Sequence, residues 1–197
     1  MALKHAVLAA LLDGPATGYE LTKWFAAGVA NFWPATKPQL YAELARLEGD
    51  GLVAGAEVVQ RDRPNKRVMT ITDAGIDALD DFAREASKPI ATKSDLIVKV
   101  RSLDVVDPAA LRDDLLAGLV RATDRLHDFA ATEARMLKGR EHDEYLRTAR
   151  RVGPYLTLRA GLARERAYVA WLREVLDVLD LRVAATAPDP PHRRAAP

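Results

Sequence analysis

The sequence predicts a mainly α-helical protein in which three short helices, a β-hairpin and a closing helix precede long C-terminal helices. Apolar residues recur three or four positions apart through most of the chain, which is the period of helices with one buried face. Between residues 53 and 72 the pattern changes to that of β-strands. Apolar residues make up 49% of the 197 residues, so the chain can bury a core, yet no apolar run is long enough to span a membrane.

Changes in composition divide the chain into four parts. We predict a first domain over residues 1–86, a connector over 87–93, a helical domain over 94–182 and a disordered tail over 183–197. Pro89 breaks any helix that would run through the connector, and the Ala- and Pro-rich tail cannot bury a core. The chain has no cysteine, which is compatible with a reducing cytosol, and we predict a cytoplasmic protein. A formal net charge of +1 gives no argument for or against nucleic acid.

The first two helices have start and stop signals. Apolar residues at helical spacing run over residues 3–12, and Asp13-Gly14-Pro15 ends this helix. Thr17 and Glu20 have the spacing of a capping box, in which each side chain bonds the other residue's backbone N–H. A second helix is therefore predicted to begin there and to run through Leu21, Trp24 and Phe25 towards Val29.

The third helix has one apolar face and one face rich in hydrogen-bond donors. Thr36 and Gln39 form another capping box, and Pro38 lies in the first turn, where its missing N–H is tolerated. Gly49 and Gly51 end the helix. The inward stripe comprises Leu40, Leu44 and Leu47, and the opposite face carries Lys37, Gln39, Tyr41, Glu43 and Arg46. Taken alone, this pattern also fits an amphipathic helix of any small α domain.

A β-hairpin and a closing helix follow. Residues 54–60 predict a valine-rich strand, residues 61–65 a turn and residues 66–72 a second strand, after which Thr72-Asp73 begins a helix. The basic residues at the hairpin tip are Arg61, Arg63, Lys66 and Arg67. Three helices, a basic hairpin and a closing helix are the arrangement of a winged helix-turn-helix, with the third helix as recognition helix and the hairpin as wing.

Several short motifs in this region occur in the order and spacing of one family. They are Gly18-Tyr19-Glu20-Leu21, Gln39-Leu40-Tyr41, Leu44-x-x-Leu47-Glu48-x-x-Gly51-Leu52, Arg63-Pro64-x-Lys66-Arg67 and Thr72-x-x-Gly75. Residues 3 to about 86 thereby resemble the DNA-binding domain of the PadR family of transcriptional regulators. One departure lies near Met69, where the family usually has an aromatic residue in the second wing strand and this chain has none, so wing packing is expected to differ.

Seven side chains are candidates for contact with DNA: Thr36, Lys37, Gln39, Tyr41, Arg63, Lys66 and Arg67. The Gln39 amide suits a bidentate contact with adenine or a bond to phosphate, and Lys37 with the helix N-terminus suits a phosphate oxygen. The resemblance implies a contact of Tyr41 with the DNA backbone, and the wing cations would lie along phosphates or in the minor groove. The alternatives are a helix cap for Thr36, a core-edge position for Tyr41 and a solvated hairpin.

The C-terminal half is predicted to form two long helical regions. Asp107-Pro108 begins the first, which ends near Gly139, and Gly153-Pro154 kinks or splits the second, over residues 141–182. A nearly heptad seam, interrupted by Glu165, comprises Leu158, Leu162, Val169, Leu172, Leu176 and Leu179. Neither region can bury its apolar face alone, so the two are predicted to pack as an α-helical hairpin that still has apolar surface to bury. The larger members of the family that the chain resembles use this region for dimerisation, so the resemblance implies that the seam joins a homodimer. The alternative is a self-contained monomeric helical domain.

The resemblance implies a sequence-specific DNA-binding transcriptional regulator, most simply a dimeric repressor on a pseudo-palindromic double-stranded operator. It also implies release by a small aromatic or lipophilic effector, for which Trp24, Trp33 and Trp171 are candidate pocket residues; the alternative is that they are plain core. A second class of function is a winged-helix module that binds protein instead of DNA. The basic wing argues against that class, and the acidic residues Glu43, Glu48 and Asp50 around the recognition helix keep it open.

The sequence contains no catalytic or metal-binding motif. Its four histidines are scattered, with no pair at ligand spacing and no thiol, and it has neither a Gly-rich phosphate loop nor a GxSxG motif. Paired carboxylates such as Asp80-Asp81 are neighbours in sequence, and such neighbours do not face each other on a helix. We therefore predict no enzyme activity, no cofactor, no metal and no membrane partner.

Overall fold

The structure, a computed structural model, describes residues 2–25, 33–59, 65–87 and 93–186. The chain folds into two compact units, Met1–Ile90 and Ala91–Pro197, which are described separately below. It is mainly helical with one small antiparallel sheet, so the predicted fold class is confirmed. The division between the units falls within the predicted connector, residues 87–93. The predicted domain boundaries themselves stay predictions.

The first unit is a winged helix-turn-helix. In chain order its elements are α1 (Ala2–Leu11), β1 (Ala16–Thr17), α2 (Gly18–Trp24), α3 (Lys37–Gly49), β2 (Val53–Val58), β3 (Lys66–Ile71) and α4 (Asp73–Arg84). Helices α2 and α3 are the helix pair, β2 and β3 are the wing, and α4 is the closing helix.

Side-chain caps begin the helices of this unit where the sequence predicts them. Thr17 and Glu20 form a complete capping box at α2, and α3 begins with a box of the same kind. At α4, Thr72 Oγ1 accepts the Gly75 N–H at 3.2 Å and donates to the Gly51 carbonyl at 2.8 Å. Because a cap of this kind stabilises a helix by about 1 kcal/mol, these local signals place the three helix starts reliably.

The sheet joins the wing to the start of α2. Its strand order is β1-β3-β2, and both strand pairs are antiparallel. Strand β1 pairs through Ala16 opposite Met69 and Thr17 opposite Val68. The sequence did not predict β1, because a two-residue strand is too short to show alternation. Its pairing fixes the first turn of α2 beside the second wing strand.

The core of the first unit is formed by α1, α2, α3 and the sheet. Its larger members are Val7, Leu8, Leu11, Leu21, Phe25, Leu40, Leu44, Leu47, Val53 and Met69. The predicted inward stripe of α3 is confirmed, since its three leucines are at most 5% exposed. Met69 takes part in this core at the position where an aromatic residue is usual in the family.

The second unit consists of helices in the part of the chain that the structure describes. They are α5 (Asp95–Arg101), α6 (Pro108–Leu137), α7 (His142–Thr148) and α8 (Gly153–Thr186). Asp107 caps α6 as predicted, because its Oδ1 accepts the Ala109 N–H at 2.9 Å. The predicted interruption at Gly153-Pro154 is a complete break, since residues 149–152 separate α7 from α8.

Helix α8 extends beyond its predicted end near residue 182. It continues to Thr186, so residues 183–186 are helical and do not belong to the predicted tail. This short stretch includes Ala184 and Ala185, and alanine has the highest helix propensity of all residues. The remainder of the predicted tail, 187–197, and most of the predicted connector lie outside the described residues.

The leucine seam of α8 is buried within one chain. Its residues are exposed to at most 7%: Leu158, Leu162, Val169, Leu172, Leu176 and Leu179. Four of them form one cluster with Leu111, Leu115 and Ala122 of α6. The seam is therefore already covered, and the dimer contact predicted for it would require these helices to separate. That contact stays a prediction.

Glu165 is a buried carboxylate within the seam. It is 3% exposed, and its Oε2 accepts a bond from Arg125 Nη2 of α6 at 2.9 Å. Arg164 Nη2 lies 3.3 Å from the other carboxylate oxygen. The residue that interrupts the heptad pattern in the sequence thus joins the two long helices through an ion pair.

Candidate nucleic-acid interface

The outward face of α3 presents four of the seven predicted contacts. Thr36, Lys37 and Gln39 are exposed at the N-terminal end of the helix, and Tyr41 is 49% exposed in its first turns. The leucines on the opposite face fix α3 in the core, so these side chains project from a rigid element. Later in the helix, Arg46 forms an ion pair with Glu43 of the same helix.

The capping box restricts how Gln39 can contact DNA. Gln39 Oε1 accepts the Thr36 backbone N–H at 2.8 Å and the Thr36 hydroxyl at 3.1 Å. A bidentate contact with adenine uses both the oxygen and the nitrogen of the amide. Because the oxygen is engaged in the cap, only the amide NH₂ group of Gln39 is available to a base or phosphate acceptor. The cap role of Thr36 is confirmed, and its contact with phosphate stays a prediction.

Tyr41 lies against the first residue of α2. A Cβ atom on Gly18 would lie 2.4 Å from Tyr41 Cε1, so the absence of a side chain at Gly18 allows the ring to approach this closely. The contact orients the ring while about half of the side chain stays exposed. This geometry suits the predicted contact of Tyr41 with the DNA backbone, because the position of the phenol is set in advance.

Two exposed residues of α2 are candidates for DNA contact that the sequence analysis did not include. Tyr19 is 59% exposed, and Lys23 Nζ lies 4.6 Å from the centroid of its ring. The first helix of a helix-turn-helix crosses the DNA backbone, where a lysine and a phenol can both contact phosphate. Their spacing of four residues on an exposed helix face was the signal that could have identified them.

The wing is attached to the recognition helix through one charged contact. Arg67 Nη2 of β3 donates to Glu48 Oε1 at 2.5 Å, and the same oxygen accepts the Gly55 N–H of β2 at 3.0 Å. A Cβ atom on Gly55 would lie 2.4 Å from this oxygen and 2.5 Å from Arg67 Nε, so a glycine is needed here. We call Glu48, Gly55 and Arg67 the wing bracket.

The wing bracket neutralises Arg67. The hydrogen bond from Arg67 is the main reason that the pKa of Glu48 lies below its ordinary value of 4.5, so the pair stays charged at neutral pH. Glu57, opposite Arg67 in the sheet, is a second carboxylate whose charge acts on it. The predicted contact of Arg67 with DNA stays a prediction, and it would require this side chain to leave Glu48.

Lys66 is the other predicted wing residue that the structure describes. It is partly exposed at the start of β3, and its charge helps to lower the pKa of Glu20 in α2, after the larger effect of the Thr17 hydrogen bonds. Lys66 therefore lies near the N-terminus of α2. Arg61 and Arg63 of the wing lie outside the described residues.

The surroundings of the three tryptophans predicted to line an effector pocket can be described within each unit. Trp24 packs against the core of the first unit, and Trp33 is 38% exposed. Trp171 packs against the core of the second unit and stacks on Tyr168, with ring centroids 5.7 Å apart. The core interpretation therefore accounts for Trp24 and Trp171, while the effector pocket stays a prediction.

Comparison with known proteins identifies the family. Residues 7–81 match the Transcriptional regulator PadR-like family, and residues 92–180 match the family described as Virulence activator alpha C-term. A probable transcriptional regulator of Mycobacterium tuberculosis is 30% identical over 189 residues, which cover 91% of this chain and 98% of that protein. The chain belongs to the PadR family of transcriptional regulators. PadR-family proteins are regulators, not enzymes.

A solved relative shares the architecture. The negative transcriptional regulator PadR of Bacillus subtilis is 27% identical over 179 residues, covering 90% of this chain and 97% of that protein. Its crystal structure in complex with operator DNA matches with a TM-score of 0.74 at 26% identity, covering 91% of this chain and 99% of that one. Its complex with p-coumaric acid matches with a TM-score of 0.66, covering 90% and 95% of the two chains.

Neither a membrane-spanning helix nor a metal-binding group of side chains occurs among the described residues. No helix there has both the length and the apolar character needed to cross a membrane. Nor do three or more His, Asp or Glu side chains of those residues gather into a group that could hold a metal ion. His142, next to the acidic start of α7, bonds the Tyr155 hydroxyl through Nδ1 at 2.8 Å.

Proposed function

We propose that this PadR-family chain is a dimeric repressor that binds a double-stranded, pseudo-palindromic operator through α3 and the wing. The observation that carries the proposal is the exposed start of α3, which presents Lys37, the Gln39 NH₂ group and Tyr41 from a helix anchored by buried leucines. The N-terminal residues of a recognition helix are the ones that reach base edges in the major groove.

Each side chain has a distinct role in this proposal. Lys37 binds phosphate with the help of the positive end of the α3 dipole, and the Gln39 NH₂ group donates to a base acceptor. Tyr41 and Lys23 contact the DNA backbone, and Lys66 lies along the phosphates beside the wing. Arg67 acts through the wing bracket, because its charge is neutralised by Glu48.

The assembly and its control are proposed from the relatives. The B. subtilis relative is named a negative regulator and was solved with operator DNA and with p-coumaric acid, which supports repression relieved by a small aromatic or lipophilic effector. A two-fold dimer would present two α3 helices to two half-sites. Apolar side chains that stay exposed on α5 and α6 could meet a second copy: Ile97, Val98, Leu116 and Val120. Acting on DNA in this way, the protein would work in the cytoplasm.

The test is fluorescence anisotropy of a labelled duplex taken from upstream of the gene that encodes this protein. The chain should bind it about a thousandfold more tightly than an unrelated duplex, and added salt should weaken binding. Lys37→Ala with Lys66→Ala should reduce both the affinity and the salt dependence. Arg166→Ala with Arg173→Ala removes the same charge from exposed positions on α8 and should change neither.

One result would overturn the proposal in favour of the other class of function. A folded chain that binds neither this duplex nor any fragment selected from a genomic library would act as a winged-helix module for protein partners. Sedimentation equilibrium of the same sample tests the dimer separately, since a chain that stays monomeric at micromolar concentration would contradict that part alone.

A further inference from the structure

We propose that Gln39 selects guanine at the base that it contacts in each half of the operator, although glutamine in a recognition helix commonly pairs with adenine. The inference rests on the proposed binding of DNA by α3, and it names one base of the DNA that this helix recognises. It follows from the capping box that begins α3, because this box fixes the orientation of the Gln39 amide.

The orientation of the amide is set by hydrogen-bond donors that only an oxygen can accept. The backbone N–H of Thr36 donates to the Gln39 amide with an N–O distance of 2.8 Å, and the Thr36 hydroxyl donates to the same oxygen at 3.1 Å. An amide NH₂ group accepts neither bond, so Oε1 has to face Thr36. The Gln39 N–H donates to the Thr36 hydroxyl at 3.4 Å and closes the box. Nε2, with its two N–H donors, is therefore the part of the amide that a base meets.

The end of α3 that carries this amide is held in place by its neighbours. Gln39 is exposed, whereas the next residue, Leu40, is 2% exposed and packs in the core with Leu44. Pro38, whose ring fixes φ, lies between the two members of the box. Turning the amide by half a turn would break both bonds to Oε1 and leave the Thr36 N–H facing another donor. DNA therefore meets an amide that is already oriented as a donor.

The four bases offer different groups to such a donor in the major groove. Guanine presents two neighbouring acceptors, N7 and O6, so either can accept an amide N–H. Thymine presents one acceptor, O4, beside its methyl group. Adenine presents the acceptor N7 beside an amino group that needs the amide oxygen as its partner, and cytosine presents an amino donor alone. The expected order of preference is guanine, thymine, adenine and cytosine.

A carboxylate at position 39 should invert this preference. Capping boxes use either Gln or Glu at this position, so Gln39→Glu keeps one oxygen in the box. Its other oxygen takes the place of the NH₂ group, and an acceptor then faces the base where the native chain has a donor. The amino group of cytosine becomes the matching partner. The native chain should select guanine, and the variant should select cytosine, at the same position of the half-site.

The test is the selection of binding sites by the full-length chain from a random double-stranded DNA library, read by sequencing. Fluorescence anisotropy then compares four duplexes that differ only at the selected position of each half-site. The native chain should bind the guanine duplex about tenfold more tightly than the adenine duplex. Gln39→Glu should move the preference to cytosine at that position and leave the other positions of the motif unchanged.

Two further variants separate the base contact from the capping box as such. Thr36 is a positioning residue in this proposal, and Thr36→Ala removes one of the two bonds that hold Oε1. The amide then turns more freely, so discrimination against adenine should fall to about threefold or less. Glu20→Gln exchanges a carboxylate for an amide in the capping box of α2, and the base preference should stay that of the native chain.

The possible outcomes distinguish this inference from the proposed DNA binding. An enriched motif in which no position responds to residue 39, or in which the responding position is adenine for the native chain, overturns the inference alone. A selection that enriches no sequence overturns the proposed DNA binding and this inference together. Guanine for the native chain and cytosine for Gln39→Glu, with an unchanged preference for Glu20→Gln, would establish both.

Discussion

Helices α3 and α8 carry similar leucine patterns and use them differently. In α3 the leucines occupy one face, and the opposite face stays exposed and presents polar side chains. In α8 the seam is buried, and four of its six residues pack with residues of α6 in the same chain. The seam also contains Glu165, the one buried charged residue in the described part of the chain. The comparison shows that periodicity predicts which face of a helix is buried but does not decide whether the same chain or a second copy covers it.

The largest effect should come from breaking the seam. Leu172 is fully buried, so Leu172→Ala should lower the free energy of unfolding by about 2–5 kcal/mol. Leu181, 71% exposed on the same helix, provides the matched control, and Leu181→Ala should change stability by less than about 0.5 kcal/mol. Urea denaturation followed by circular dichroism measures both values.

Repeating these measurements at a lower protein concentration tests whether a second copy covers the seam. If the seam packs within one chain, the difference between the two variants should not change when the protein is diluted a hundredfold. A destabilisation by Leu172→Ala that depends strongly on concentration would show that a second copy covers the seam, as the family resemblance implied.

The second-largest effect is expected on operator affinity, when the exposed face of α3 is changed. Gln39→Glu places a Glu at a position where capping boxes use either Glu or Gln, so the stability of the helix should not change. It removes the NH₂ group proposed to contact DNA and adds a negative charge, so operator affinity should fall roughly tenfold or more. Anisotropy measures the affinity, and thermal unfolding checks that the cap is kept. Native-like operator binding by this variant would exclude the Gln39 contact.

Local signals in the sequence were sufficient to predict the main helices and strands of the first unit. The capping boxes at α2 and α3 and the alternation of the wing placed its main elements, because each of these devices involves residues only a few positions apart. The wing bracket could not be predicted, since Glu48 and Arg67 are 19 residues apart and meet only after the sheet has paired. The same limit hid the role of Glu165, which depends on Arg125, 40 residues away.

Replacing the charge within the seam should have a smaller effect. Glu165→Leu would make the leucine pattern continuous, and Arg125, 45% exposed, can turn its charge towards water. Removal of the buried carboxylate also removes its desolvation cost, and the arginine that remains is about half exposed, so we expect a gain of about 1 kcal/mol in urea denaturation. Glu165→Ala leaves a gap and should destabilise the chain. Strong destabilisation by Glu165→Leu would instead show that the ion pair is needed to align α6 and α8.

The smallest expected effect is on the salt dependence of DNA binding, to which two neighbouring wing cations should contribute differently. Lys66→Gln removes a charge proposed to lie along phosphates, so it should reduce the slope of log affinity against log salt by about one. Arg67→Gln should leave this slope unchanged, because Glu48 already neutralises Arg67 in the wing bracket. Operator titrations at four salt concentrations give both slopes. If Arg67→Gln flattens the slope as much as Lys66→Gln does, Arg67 leaves Glu48 when DNA binds, and the wing bracket is a contact of the free protein only.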